Sequence, residues 1–572
     1  MQKFKTLDDH YVFNIEKDKK HYYLADKNNY KKDIESLLNN VDDIKFDSLI
    51  IIFGIDTGEY LDELFNALCR RNRILIFEPN EEIFNYNKDR INKENLKLFL
   101  YDKNNIKRIL YSVVDSTNFN NLYVHAFGNY AEVYKEEYEV FIENLNIIYF
   151  TASSPINIGY RFRDVFLKNL IGNLKAVKDV TPLHALENLN KGIPAIIVSA
   201  GPSLDKNLAE MVKYKDEIEK YFIIAGSRTL KALMKNGIKP DMIVSIDPID
   251  DNYDMMKDYL GEDIPFGFYE YSNRYLIRDY KGDKIFLSTV LLKTIKELNT
   301  FKEPYLGGSV AHPSIDIANI MGCSPIILVG QDLAFTYDKV HSDSAIFEAD
   351  EKNNYEANLI IKNVFGDIIK TTPTLNQFRA KLEEYIYYHN KINNVEFINV
   401  SYGANIEGAP HEELSDVIKR YKISNTKKNC IINNSIKIDA ETIANEVLTY
   451  VEECITKANN GEEVCKELLL GKEDKSLIDI EEDDEELQKF LYIMETVNIF
   501  ESSSKSLYLG GYLYKFLFDI KEEFFNMYAK DYDSLTSNLR YQSKCFLGYF
   551  EKMKIFLEEV KSILLETLAE FY

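Results

Sequence analysis

Several stretches of the 572-residue chain place small, hydroxylated or ionisable side chains directly after an apolar run. In IPAIIVSAGPSLDKNL, residues 193–208, the run ends at Ser199-Ala200, Gly201-Pro202-Ser203 form a tight turn, and helical spacing starts near Leu204. Glycine lets a ligand approach the backbone, proline suits a helix start, and the free N–H groups of that start attract an anion such as a phosphate. Ser203 is also a good helix cap, so the same spacing describes an ordinary strand-to-helix turn. No G-K-[ST] follows and the segment is not G-x-G-x-x-G, so it is neither a Walker A loop nor a dinucleotide fingerprint. IIAGSRTLKAL, residues 223–233, repeats the arrangement. There Ser227 can donate to a base or sugar hydroxyl and Arg228 can face a phosphate, or both belong to a second capped helix.

A third run, KPDMIVSIDPID (239–250), ends on Asp247, with Asp250, Asp251 and Asp254 close behind. Such carboxylates can hold a divalent cation, Asp247 alone can bond a ribose or substrate hydroxyl, and solvated acids produce the same pattern. In residues 306–342, Gly307-Gly308-Ser309 opens an apolar helix as a second candidate anion turn. The strand PIILVG then delivers Gln331 and Asp332 at its tip, with His341 in the polar loop beyond. An imidazole titrates near neutrality and suits a general base, although lone loop histidines are commonly surface residues. His312, against the helix start, reads as structural. SYGANIEGAPHEEL (401–414) reads as a turn, with His411 and its glutamates as the other candidates for substrate contact.

The elements that must position these groups alternate. From residue 1 to 165, DSLIIIFGI and RILIFEP flank a helical stretch, the start of a Rossmann-like unit. Gly54, Gly58 and Glu78 mimic a nucleoside-binding pattern, but the glycines are degenerate and a scaffold without a cofactor is expected. Residues 166–421 carry six candidate strands (195–200, 221–226, 242–247, 284–288, 325–330, 397–401) with helical spacing between most of them. Continuous apolar runs of this kind suit a mostly parallel sheet buried on both faces, with sites beyond the carboxyl ends. From 422 to 572, apolar residues recur at i, i+3, i+4 and i+7, as in an α-helical bundle. The expected class is α/β with two Rossmann-like domains and a helical C-terminal domain.

The balance of 69 Lys+Arg against 92 Asp+Glu gives a net charge of −23, which argues against a general nucleic-acid binder. The six cysteines, Cys69, Cys323, Cys430, Cys454, Cys465 and Cys545, are scattered without C-x-x-C. They fit a reducing compartment rather than a disulfide framework or zinc site. No apolar signal core opens the chain and no run nears the roughly 18 residues of a membrane span, so a cytoplasmic location is expected.

Taken together, AGPSL (200–204), GSRTLKALMKNGIKPDMIVSIDP (226–248), GGSVAH (307–312) and PIILVGQDLAFT (325–336) followed by His341 resemble the motility accessory factor (Maf) family of flagellin glycosyltransferases. The motif match covers about residues 190–410. The resemblance implies a central domain of variant GT-A fold, similar to bacterial sialyltransferases. It implies transfer of a nonulosonic acid (sialic, pseudaminic or legionaminic type) from its CMP derivative to Ser/Thr hydroxyls of flagellin. On it, Gly201, Pro202, Ser203, Leu204, Ser227, Arg228, Gly308, Ser309 and Gln331 are expected at the donor. His341 is expected as the base, and Asp332 and Asp247 as orienting groups. No metal or other cofactor is expected, because a CMP-sugar leaves as a monophosphate. The chain departs from the family at Phe335, where a tyrosine is usual, and at Val340-His341-Ser342, where Thr-His-Ala is usual. Two other readings remain: a pterin pyrophosphokinase using ATP and Mg²⁺ with Asp247 and Asp250 at the metal, or a non-catalytic flagellin-binding chaperone.

Overall fold

The computed structural model describes residues 1–39, 43–91, 93–177, 180–299, 302–347, 359–423, 428–429, 437–471 and 475–570. Cys430 lies outside them, whereas Cys69, Cys323, Cys454, Cys465 and Cys545 are free thiols in buried positions. The chain packs as two compact units. One comprises Met1–Arg161, Cys454–Glu501 and Leu513–Leu557, and the other Phe162–Glu453, Ser502–Tyr512 and Glu558–Tyr572. The helical C-terminal segments therefore divide between the two. The helix Lys135–Val177 runs without a break through the point where composition changes, around residue 165.

The first unit opens with an antiparallel meander, β1 (Gln2–Lys5), β2 (Tyr11–Lys17) and β3 (Lys20–Tyr23). A four-stranded parallel sheet follows: β4 (Leu49–Phe53), β5 (Arg73–Glu78), β6 (Leu96–Leu100) and β7 (Leu122–Ala126), in the order β6-β5-β4-β7. All five side chains of β4 are buried, as a strand covered on both faces requires. The amphipathic segments read in the C-terminal region are helical at Ala440–Leu470, Glu485–Ser502 and Leu539–Ala569. In the first unit the last two meet edge to face, with Phe500 and Phe556 ring centroids 6.2 Å apart.

The second unit holds eight parallel strands: β8 (Thr181–Pro182), β9 (Ala195–Val198), β10 (Phe222–Gly226), β11 (Met242–Ser245), β12 (Phe266–Tyr269), β13 (Lys284–Leu287), β14 (Ile326–Val329) and, after a hairpin, β17 (Phe397–Asn399). The hairpin is β15 (Leu359–Lys362) with β16 (Ile368–Thr371). The sheet order is β17-β14-β9-β10-β11-β12-β13-β8. Strand alternation sets the layers. Ala195 and Ile197 face one core with the helix Ala311–Ile320, and Ile196 and Val198 face the other with the helix Leu204–Lys213. Each fully buried Val or Ile contributes about 1.5–3 kcal/mol relative to exposure. A one-residue slip of β9 would exchange the two faces.

All six strands expected in the central region are present, shorter than the apolar runs because the polar tip residues leave the ladder. Strands β8 and β12 were not expected. β12 is only FGFY, starts behind Pro265 and contains Gly267, which conceals it in a propensity reading.

Candidate functional site

From β9 the chain winds outward through β10, β11, β12 and β13, then returns to place β14 and β17 on the other side of β9. The order thus reverses between β9 and β14, and a crevice opens there beyond the carboxyl ends. The Gly201 turn closes β9 at this point. Gly201 N–H donates to the Gly330 carbonyl at 2.8 Å, across the two strand tips. A Cβ on Gly201 would overlap the Asp332 carboxylate and stand 2.5 Å from the Gly330 carbonyl. Gly330 has φ +62°, and a Cβ there would overlap the Ser199 carbonyl. Both glycines are therefore required by close backbone approach.

Directly beneath, the Ser203 hydroxyl donates to Asp332 Oδ1 and its N–H to Asp332 Oδ2 at 3.0 Å. Tyr402 N–H in turn donates to Ser203 Oγ at 2.8 Å. Burial pushes the Asp332 carboxyl above its usual range, against the hydrogen bonds from Ser203 and Thr336. Gln331 is tied by Ser199 Oγ, 2.5 Å from Oε1, and by its own N–H to Ser401 Oγ at 2.7 Å. Ser203, Leu204, Ser227, Gln331 and Asp332 are all buried, as is Pro202. Direct donor contact was expected of Ser203, Leu204, Ser227 and Gln331, and substrate orientation of Asp332. In this structure Ser203 and Asp332 bond to each other across the strand tips, the Gln331 side chain bonds to Ser199, and Leu204 packs in the core behind β9.

The His341 loop lies against the same edge. Ser342 N–H donates to the Ala200 carbonyl at 2.9 Å. Asp205, one residue into the helix Leu204–Lys213, accepts from Ser342 Oγ (2.7 Å), Asp343 N–H (2.9 Å), Ser344 N–H (3.1 Å) and Ser344 Oγ (2.6 Å). Burial pulls Asp205 upward, but those hydrogen bonds outweigh it and hold the carboxyl below its usual range. Arg228 Nη1 reaches the Ala345 carbonyl at 3.4 Å, so one loop bridges the tips of β9 and β10. His341 is half-buried at its start.

Asp247, at the tip of β11, is reached by solvent. Even so, the surrounding protein raises its proton affinity, with the Arg228 charge opposing. Asp250 is engaged by Asn273 Nδ2 at 2.8 Å. Among the described residues, no three His, Cys, Asp or Glu side chains form a metal-sized cluster.

The Gly307-Gly308-Ser309 turn arrives at the tip of β10, where a Cβ on Gly226 would lie 3.2 Å from Val310 Cγ1. Gly308 is exposed and Ser309 half-buried. His312 is structural: Ser309 N–H donates to Nδ1 at 3.2 Å, and Nε2 lies 3.1 Å from the Phe378 carbonyl, so the proton is on Nε2. Burial lowers this imidazole to about 4. The turns at 201, 226 and 308 and the loop at 341 thus share one sheet edge, with helix starts at Leu204, Ser227 and Ala311. Sequence reasoning passed over Asp205 and Tyr402. An acid in the first helical turn after G-P-S-L was the visible signal for the former, while the latter acts through its backbone and left none.

Two other places in the fold gather buried polar groups. A cavity of about 850 Å³ at the amino edge is lined by Lys191, Lys302, Asp316, Asn319, Tyr385 and His389. Its polar groups satisfy one another: Asp316 accepts from Tyr305 N–H and Tyr385 OH, and Asn319 Nδ2 contacts Tyr385 OH and His389 Nδ1. The carboxyl edge, which gathers helix starts and exposed backbone, is the better ligand site. In the first unit, the crevice beside β4 is filled. A Cβ on Gly54 would overlap the Tyr130 ring, whose hydroxyl donates to buried Glu78 at 2.8 Å.

Comparison with known proteins places this geometry in context. Residues 168–338 match the family model described as 6-hydroxymethylpterin diphosphokinase MptE-like. An uncharacterized protein of Treponema pallidum (strain Nichols) is 30% identical over 95 residues, 17% of this chain and 43% of that protein, so the match spans less than half of that relative. The Maf glycosyltransferase from Magnetospirillum magneticum AMB-1 superposes with a TM-score of 0.57 at 12% identity, covering 100% of this chain and 95% of that one. The chain therefore has the fold of a Maf glycosyltransferase along its whole length, in accord with the motility accessory factor resemblance carried by its strand-tip turns.

Proposed function

We propose that the chain is a glycosyltransferase that moves a nonulosonic acid from a CMP-sugar to Ser/Thr hydroxyls of flagellin. The observation that carries this reading is the gathering of three helix starts and the His341 loop on one sheet edge, in a chain with a Maf glycosyltransferase's fold throughout. The donor phosphate sits beside the Gly201 turn, at the positive end of the helix Leu204–Lys213, whose dipole favours the charge that develops as the bond to the sugar breaks. Arg228 and the Gly308-Ser309 backbone flank it, and solvent-exposed Asp247 orients hydroxyls. The acceptor oxygen attacks the anomeric carbon, the carbon–oxygen bond to phosphate breaks, CMP leaves, and His341 takes the hydroxyl proton. A monophosphate leaving group needs no metal bridge.

The competing reading is a pterin pyrophosphokinase using ATP and Mg²⁺. Calorimetric titration of the full chain with CMP, and with ATP plus Mg²⁺, separates the two. CMP binding that is independent of Mg²⁺ and weakened in Arg228→Ala supports the transferase; Mg²⁺-dependent ATP binding with no response to CMP contradicts it.

A further inference from the structure

The β15–β16 hairpin has two unlike faces. Its register pairs Leu359 with Thr371, Ile360 with Lys370, Ile361 with Ile369 and Lys362 with Ile368. Alternation puts Ile361 and Ile369 on the inner face, where they pack against the core of the eight-stranded sheet. The outer face then carries Ile360, Lys362, Ile368 and Lys370. Ile360 is 69% and Ile368 76% exposed, and Phe365 in the connecting turn is 63% exposed. Isolated surface isoleucines are unremarkable, but two isoleucines and a phenylalanine on one short hairpin form a patch. Both charged residues among the four outer-face positions are lysines, in a chain of net charge −23.

The hairpin is fastened to the two loops that leave the candidate site. Phe335 N–H donates to the Lys370 carbonyl at 2.9 Å, and Thr371 Oγ1 to the Leu333 carbonyl at 2.9 Å, both just beyond Asp332. Val364 N–H donates to the Gly403 carbonyl and Asn405 N–H to the Lys362 carbonyl, each at 3.0 Å, just beyond β17. A Cβ on Gly403 would overlap the Asp332 carbonyl, so this loop touches the strand tip itself. Phe365 continues the surface inward, its ring over Tyr402 with centroids 6.4 Å apart. Tyr337, 64% exposed in the same loop as Phe335, extends it from the other side.

We propose that this outer face docks the polypeptide acceptor, and that the acceptor meets it with an acidic segment bearing aliphatic side chains. The proposal rests on the transferase reading. Its support is the continuity of the hairpin with the site loops and the complementarity of Lys362 and Lys370 to an acidic partner. Long-range attraction of this kind chiefly raises the association rate and fades with salt.

The test uses full-length protein, purified flagellin monomer and CMP. The paired variants are Ile360→Ser with Ile368→Ser, and Lys362→Glu with Lys370→Glu, all at exposed positions. Expected are a tenfold or greater loss of flagellin affinity in each pair, a smaller loss for the lysine pair at high salt, and CMP affinity unchanged within twofold. Unchanged flagellin affinity overturns the docking surface and leaves the transferase reading intact. A wild type that dimerises, with monomeric variants, assigns the face to a second copy and overturns the proposal. A wild type that binds CMP but no flagellin overturns both the flagellin assignment and the docking face.

Discussion

Ser203 and Asp332 show how a residue can matter at a site without touching what the site binds. Each has its polar atoms engaged by the other or by neighbouring backbone, and neither is open to solvent. Ser203→Ala would leave a buried carboxylate short of a donor and the Tyr402 N–H without its acceptor, a loss of about 1–3 kcal/mol. Chemical denaturation of the variant measures it, and a residue acting only on the ligand would leave stability unchanged. On the proposed mechanism, His341 belongs to the opposite class. His341→Ala should lower transfer by about 10²–10⁴-fold, the usual contribution of a general base, with CMP affinity preserved. Transfer at the wild-type rate would contradict the role. The motif G-P-S-L was legible as a turn, but the bond from its hydroxyl to Asp332 was not. A hydroxyl at a strand tip gives the same sequence signal whether it points at a ligand or at a neighbouring carboxylate.

The elements around the turn are held by few but specific bonds. Asp205 accepts four of the hydrogen bonds that tie down residues 342–344, so Asp205→Ala should loosen the loop that carries His341. Faster hydrogen exchange at 341–345 and about a tenfold fall in transfer are expected, with little change in global stability because the carboxylate is partly exposed. Unaltered exchange would place the loop's anchorage elsewhere. Continuous apolar runs such as AIIV and IILV made the central strands readable, since only a strand covered on both faces tolerates them. The hairpin escaped notice because LIIK and IIKT are four residues each and hide only one face. Strand β12 escaped because its glycine and preceding proline are ordinarily loop residues.

At the scale of the whole molecule, the charge pattern and the two units make separate statements. In the first unit, Asp56 and Glu78 are fully buried, and burial lifts their carboxyls to about 8 and about 7. Their unfolded values are near 3.8 and 4.5. The fold thus favours the protonated forms, and the stability they contribute is complete below the unfolded values and is lost as pH rises through 7 and 8. Hydrogen exchange of the β4 amides should accelerate between about pH 4 and 8 beyond the intrinsic rate, and Asp56→Asn should flatten that dependence. A pH-independent opening would show that the pair is not buried as described. Composition separated the β-rich from the helical stretches, but it did not reveal that the helices past residue 440 pack with both units, because an amphipathic stripe does not name its partner. The central claim, a CMP-sugar site at the β9–β14 crevice serving flagellin, is tested most directly by the intact mass of flagellin co-expressed with this chain. The host must be supplied with one defined CMP-nonulosonic acid at a time. The account predicts a mass increase of one or more sugar residues with wild type and none with His341→Ala. Unmodified flagellin beside wild-type protein, with the activated sugar confirmed in the cell, would contradict it.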